Sequence, residues 1–551
     1  MKHFEPNVIT VLMKSVIFVS IISILPSPID RVFAQQITET QRVTTDWVDG
    51  YPDGCTSITV GKKASDKGWV STSHTCDSHR TRTWLDITAP ADHKQGSVLT
   101  AVKRTNDDSL AMPAYKHVPV GEIPQISHTY GYINTAYPCM NQHQLAIGES
   151  TFGGRESLRS DNGLIDCQQL VHLLMQRCKT AREAIRLAGE LTRKFGYIDE
   201  GECLTIADVH EVWHLEILGS GKHTRGSIWA AQRVPDDHIS VNANASRIRQ
   251  IDLADPDFFM ASANIFTVAQ DSGWWDPEEG LFEFCYTYSP ESRQSFASRR
   301  REWRVFDLIA PSRKFHPDAE NFPFSVKPDT LVTLEKLISI FKDYFEGTDF
   351  NMIKNITWTN EKGLTEISPL ANPFMPYDMN PLFKINGGWG WRGERPIARW
   401  YTIYATITQS RDWLPDEIGG VVWLAFDNVA SSIYTPLYCS ISDVPDSYKT
   451  PGRKIGFTRD SAWWAFNRTG TLAAQRWGDM RKDIDAVWLP LQTQMINQQI
   501  IIENQALKLY NRNKKKAIKF LTDYSIEWGN ITVNRCWELG DFLWTKYDEK
   551  F

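Results

Sequence analysis

The stretch EVWHLEILGSGKHTRGSIWAAQRV, Glu211 to Val234, spells a hairpin by alternation. Trp213, Leu215 and Ile217 share one face, Gly219-Ser220-Gly221 supplies a turn, and Ile228 to Val234 returns. So short a connection makes the strands antiparallel, because a parallel crossover takes a dozen residues or more. A second hairpin opens near the start, in DGCTSITVGKKASDKGWVSTSHTCDS. There Ile58 and Val60 alternate with polar residues, GKKASDKG turns, and Trp69 to His74 resumes an extended, Thr/Ser-rich run. Short strands continue to about residue 150, and then the period becomes helical. One helix is predicted over Gly163–Gln176 and another over Thr180–Phe195. The second starts with the capping box Thr180-x-x-Glu183, carries Ile185, Leu187, Ala188 and Leu191, and stops at Gly196. Further strands are predicted at Ala398–Ile407 and Val421–Phe426, and a helical end over roughly 480–525, with no Gly or Pro between Leu491 and Leu521. Residues 255–395 read as loop-rich, Pro-rich insertions around a mouth. Hairpins with helices grouped between them predict a layered α+β fold, not a parallel βαβ sheet.

The N-terminus reads as an address. Lys2 and Lys14 flank the n-region, Ser15 to Leu25 is apolar, and Val32-Phe33-Ala34 resembles a signal-peptidase site. That apolar run is too short to span a bilayer, which takes about 20 residues, and no later stretch is long enough. The expected organisation is a signal peptide at 1–34, a short propeptide or linker at 35–54, a catalytic domain at 55–450, and a helical C-terminal region at 451–551 packed on it. The mature chain is expected to be exported, with no membrane contact beyond the signal peptide. The source compartment and homo-oligomerisation stay open. A net charge of −6, with Lys514-Lys515-Lys516 only a short basic run in a helical stretch, argues against nucleic acid. The 21 tryptophans are scattered through strand-like and helical segments, which favours core and cleft packing over a carbohydrate groove. Nine cysteines in an exported chain invite disulfides, and setting Cys55 aside leaves an even number without a deducible pairing. No CxxC pair with zinc spacing occurs.

Cys55 is the pointed residue. An internal thiol, with a pKa of about 8.5, is a weak nucleophile at neutral pH unless a base or positive field helps it. A cut between Gly54 and Cys55 would create an α-amine with a pKa of about 7.7–8.0, within reach of its own thiol. One residue would then supply both nucleophile and base. Gly54 suits the other side of that bond because it crowds an attacking thiol least. The bland reading of Cys55 is a structural half-cystine.

CTSITVGKKAS resembles the mature N-terminus of dipeptidases of peptidase family C69, relatives of penicillin V acylases and bile-salt hydrolases. The likeness continues, in family order, through MNQHQLAIGESTFGGR, through EVWHLEILGSGKHTRGSIWAAQRVPDDHISVNANASRIRQID, and through ERPIARWYTIYATITQSRDWLPDEIGGVVWLAFDNVASSIYTPLY. It spans residues 55 to about 440. The resemblance implies a four-layer αββα N-terminal-nucleophile hydrolase fold with Cys55 opening a central strand, and no metal or organic cofactor. It implies Cys55 as nucleophile and Asp77 as the acid that holds its amine. His74 stands where the wider superfamily has an arginine, so the cation facing the thiolate would be only partly charged near neutral pH. Asn244 matches the asparagine on the reacting carbonyl oxygen, with Asn242 as the fallback. Thr151 falls at the oxyanion position, and Arg399 matches a late arginine near the nucleophile.

Other motifs weigh less. HTCDSH puts two histidines near Cys76 and Asp77, but on a strand His74 and Cys76 share one face while Asp77 and His79 take the other. GSGKHT mimics a phosphate loop, yet Glu216 and His223 stand where a glycine and a Ser/Thr belong. NGGWGWRG, Asn386 to Gly393, is a candidate cleft rim. Sequons occur at Asn244, Asn355, Asn467 and Asn530, with no glycan expected on Asn244. The expected function is an exported cysteine dipeptidase acting on dipeptides through a thioester. The rivals are an amidase of N-acyl amino acids or related small amides, and a non-catalytic, Trp-rich binding protein keeping the fold.

Overall fold

Cys55 enters the structure where two strands, each paired elsewhere, meet by single bridges only. The computed structural model describes residues 54–107, 114–351, 353–373 and 395–550. The N-terminal address and the aromatic NGGWGWRG loop lie outside these. The described residues belong to one unit, Gly50–Phe551.

Ser57–Val60 pairs antiparallel with Ile239–Asn242, which pairs in turn with Ser325–Val326. Ser73–Asp77 pairs with Thr402–Gln409, and Val421–Phe426 and Thr435–Tyr438 follow. Single bridges at Gly54–Asp77 and Val60–Ser71 join the two sets. Between those bridges hydroxyls complete the ladder. Thr56 N–H donates to Thr75 Oγ1 and Ile58 N–H to Ser73 Oγ, each at 2.8 Å. Backbone donors must be satisfied when buried, so the Thr/Ser-rich composition is what lets this irregular seam close.

A second sheet has eight antiparallel strands, in the order Phe259–Ala261, Ile228–Arg233, Val212–Leu218, Glu202–Ala207, Ala146–Thr151, Met140–Asn141, Tyr132–Asn134 and Asp86–Thr88. Ala146–Thr151 crosses the seam. At Gly148 an added Cβ would lie 2.3 Å from the Ser73 carbonyl and 2.9 Å from Ser57 Oγ, so only glycine lets the two sheets approach here.

Helices Cys167–Arg177 and Ala181–Phe195 pack on the eight-stranded sheet. The second keeps its Thr180–Glu183 capping box and ends at Gly196, φ 78°. The first starts later than the periodicity predicted, because Asp166 caps it by accepting from Gln169 N–H. Ala462–Gln475, Trp477–Tyr510 and Lys514–Tyr547 contact the strands Val421–Phe426 and Thr435–Tyr438. The helical end therefore runs past residue 525 and is divided at Asn511–Asn513. The result is a mixed α and β chain with a helical C-terminal region.

Three expectations need correction. The stretch 255–395 is not all loop: Phe296–Ile309 is a helix with Ser295 as its cap, and Leu334–Phe341 is another. The predicted strand at Ala398 begins at Thr402. No disulfide joins the nine cysteines, all of them buried. Cys167 opens a helix that Cys178 closes, too far apart along its axis to bond. Burial pushes the Cys139 and Cys536 thiols up to about 12, as expected of small apolar core groups. Trp69, Trp213, Trp423, Trp463, Trp477 and Trp488 are fully buried, in line with a packing role for much of the tryptophan content.

Candidate active site

The seam holds Cys55 with its side chain turned toward the eight-stranded sheet. Its sulfur lies 3.2 Å from Glu149 Oε2 and 3.3 Å from His74 Nε2. His74 Nε2 is also 3.4 Å from Glu149 Oε2, so thiol, imidazole and carboxylate form a closed triangle, all buried. Tyr137 and Tyr404 meet the His74 ring edge-on and fix its plane. Burial, and then the charge of Glu149, push the Cys55 thiol well above its ordinary value. With Gly54 still attached, the sulfur is held as a thiol.

The backbone of Cys55 lies in a second ring. Its N–H donates to Asn244 Oδ1 at 3.1 Å, and its carbonyl accepts from Arg301 Nη1 at 2.6 Å. Asn244 Oδ1 also accepts from Arg301 Nη2 at 2.9 Å and Arg395 Nη1 at 3.1 Å. Three donors on one oxygen set the orientation of the amide. Asn244 has φ 61°, a left-handed conformation that asparagine tolerates better than most residues. Arg395 Nη2 pairs with the buried Asp77 carboxylate, which also accepts from Thr402 Oγ1 at 2.6 Å. Gly54 and Asp77 exchange both backbone hydrogen bonds at 2.9 Å.

Behind the triangle sits a carboxyl pair. Thr151 Oγ1 lies 3.0 Å from both Glu149 Oε1 and Glu202 Oε1. Burial and the neighbouring Glu149 charge raise Glu202 well above the carboxylate range, so it carries a proton. Burial also opposes ionisation of Glu149, but hydrogen bonds from His74 and Glu202 outweigh it and hold this carboxyl low.

Cys55, His74, Asp77 and Asn244, together with Gly54, therefore come together. Thr151 comes too, but its hydroxyl bridges the two carboxyl groups and its carbonyl accepts from Asn244 Nδ2 at 2.6 Å. That differs from the expected oxyanion donor. Asn242 donates to the Ala245 carbonyl at 2.9 Å and braces the loop. Arg399 is buried with its guanidinium over the Tyr401 ring. Arg301 reaches the Cys55 carbonyl, and both Arg301 and Arg395 reach its Asn244 partner. His79 packs on Tyr401 and Trp400, and burial first, then nearby arginines, lower its pKa to about 3.

Residues 54–489 match the profile of peptidase family C69. The chain belongs to peptidase family C69. Similar proteins include a probable dipeptidase of Latilactobacillus sakei, 24% identical over 85% of this chain and 90% of its own. A probable dipeptidase of Salmonella dublin is 25% identical over 70% of this chain and 80% of its own. Dipeptidase A of Lactobacillus helveticus is 21% identical over 76% and 81%.

Sequence reasoning missed Glu149, Glu202, Arg301 and Arg395. Arg301 lies in SRRREWR, an arginine run in a stretch read as loop, although Ser295 ahead of it is a cap signal. In the sequence Glu149 is only a lone acid in the strand AIGEST, with no local signal that sets it apart. Arg395 is four residues before Arg399, in the same quoted block.

Proposed function

We propose that this C69 peptidase is an exported cysteine dipeptidase in which Cys55, freed by cleavage after Gly54, attacks the substrate carbonyl and forms a thioester. The observation that carries the reading is the double hold on Cys55: its nitrogen rests on Asn244 Oδ1 while its sulfur faces His74 and Glu149. A free amine at that nitrogen supplies the base that the buried thiol lacks. His74 Nε2 faces both the sulfur and the Glu149 carboxylate, which places a hydrogen-bonding imidazole beside the nucleophile. Asp77, neutralised by Arg395, holds Gly54 against the neighbouring strand by both backbone hydrogen bonds before cleavage.

The thiolate adds to the scissile carbonyl, the amine passes its proton to the departing amino acid, and water then releases the acyl half from sulfur. The relatives named dipeptidase support dipeptides as the substrate class. Two sheets meeting at Gly148, with helices packed on each, support the four-layer αββα arrangement. The Lys2 to Ala34 pattern supports export.

Cys55→Ser tests the chemistry, because a hydroxyl is far less acidic than a thiol. Dipeptide hydrolysis should be lost, and acid-quenched wild type should carry the mass of one acyl group on the Cys55 peptide. Near wild-type turnover by the serine variant places the nucleophile elsewhere.

A further inference from the structure

Three potential metal-ligand atoms, two from the opening hairpin and one from the strand Ala146–Thr151, converge at the seam. Cys55 Sγ, His74 Nε2 and Glu149 carboxylate oxygen lie within 4.8 Å of one another, all in buried residues. We propose that this triangle is a site for a zinc-class divalent cation, and that its occupancy silences the nucleophile. The spacing carries the inference. The edges measure 3.2 Å from sulfur to Oε2, 3.3 Å from sulfur to Nε2, and 3.4 Å from Nε2 to Oε2. A tetrahedral zinc ion, with bonds of about 2.3 Å to sulfur and about 2.0–2.2 Å to nitrogen and oxygen, spaces such ligands about 3.3–3.6 Å apart. The triangle needs to open by only a few tenths of an ångström.

Ligand chemistry points the same way. A sulfur, nitrogen and oxygen set suits zinc and its soft neighbours, whereas magnesium and calcium favour oxygen alone. The ligands are also braced from behind. Thr151 Oγ1 holds the other oxygen of Glu149, and two tyrosine edges hold the His74 ring. Three protein ligands leave a fourth position for water or for the Cys55 amine. Binding breaks the Cys55 S–H bond, forms a sulfur–metal bond and releases the proton to solvent, with no change of oxidation state. A sulfur lone pair engaged by the ion does not attack a carbonyl. Only this inhibitory consequence rests on the dipeptidase reading; the binding does not.

The test uses the processed, chelator-treated protein with Co²⁺ as a spectroscopic stand-in for Zn²⁺. One Co²⁺ per chain should bind with a thiolate-to-cobalt charge-transfer band, and Zn²⁺ should displace it. Zn²⁺ should suppress dipeptide hydrolysis, and EDTA should restore it. Cys55→Ala should abolish the band. Glu149→Gln, nearly isosteric, should keep the band and weaken cobalt binding roughly tenfold or more, as even loss of an outer-shell partner can. Cobalt bound without the band, unchanged affinity in Glu149→Gln, or full hydrolysis with Zn²⁺ bound would overturn the proposal. In a protein that hydrolyses no dipeptide, the band still decides the metal site.

Discussion

Arg301 shows how much of the site rests on one buried side chain. Nε donates to the Ala297 carbonyl, Nη1 to the Cys55 carbonyl and Thr56 Oγ1, and Nη2 to the Ala243 carbonyl and Asn244 Oδ1. A planar fork reaches all five acceptors at once, whereas lysine offers three donors from a single point. Arg301→Lys keeps the charge and loses the geometry. It should lower kcat roughly 100-fold, the scale of an ångström's misplacement at a reacting atom, with KM little changed. Steady-state kinetics with one dipeptide measures both. A rise in KM at constant kcat would put Arg301 on the substrate instead of on the Cys55 backbone.

The strand Val212–Leu218 positions the Asn244 loop through Glu216. This carboxyl accepts from Arg247 N–H at 2.6 Å, from Ile248 N–H at 3.3 Å, and from the Ser246 hydroxyl. Burial dominates and raises its pKa from 4.5 to about 7. A folded-state pKa above the unfolded value means that the protonated form favours folding. That contribution is full below pH 4.5 and is lost as pH rises through about 7. It amounts to about 3 kcal/mol. Glu216→Gln preserves the shape and removes the titration, so it should gain stability relative to wild type between pH 5 and pH 8. Denaturation midpoints of the two proteins at both pH values check this, and a constant difference would contradict it.

Local signals at this scale were legible. The Thr180 capping box, the Val212–Leu218 hairpin and Val421–Phe426 stand where alternation and caps put them. The Phe296–Ile309 helix was not legible, because Arg299, Arg300 and Arg301 suggest an exposed face while tertiary partners bury all three. Glu149 was hidden for a related reason. A lone acid on a strand acquires meaning only when a second sheet crosses it.

Across the whole molecule, residues separated by hundreds of positions meet at one seam. Cys55 is 189 positions from Asn244 and 246 from Arg301, and Asp77 is 318 from Arg395. Only the resemblance to C69 dipeptidases linked such distant blocks in the sequence, and it did so for Cys55, His74, Asp77 and Asn244. Its match to Arg399 fell four residues from the arginine on Asp77. Hydroxyl-completed pairing, the Gly148 approach and the buried carboxyl pair depend on the packing of two sheets, which periodicity along one chain does not encode. The central claim is that Cys55 acts as the first residue of the chain, with its own amine as base. Intact mass and N-terminal sequencing of the purified protein, matched to dipeptidase activity in the same fractions, test it most directly. Activity should follow a chain that begins at Cys55. Full activity in a chain that still carries Gly54 would contradict it.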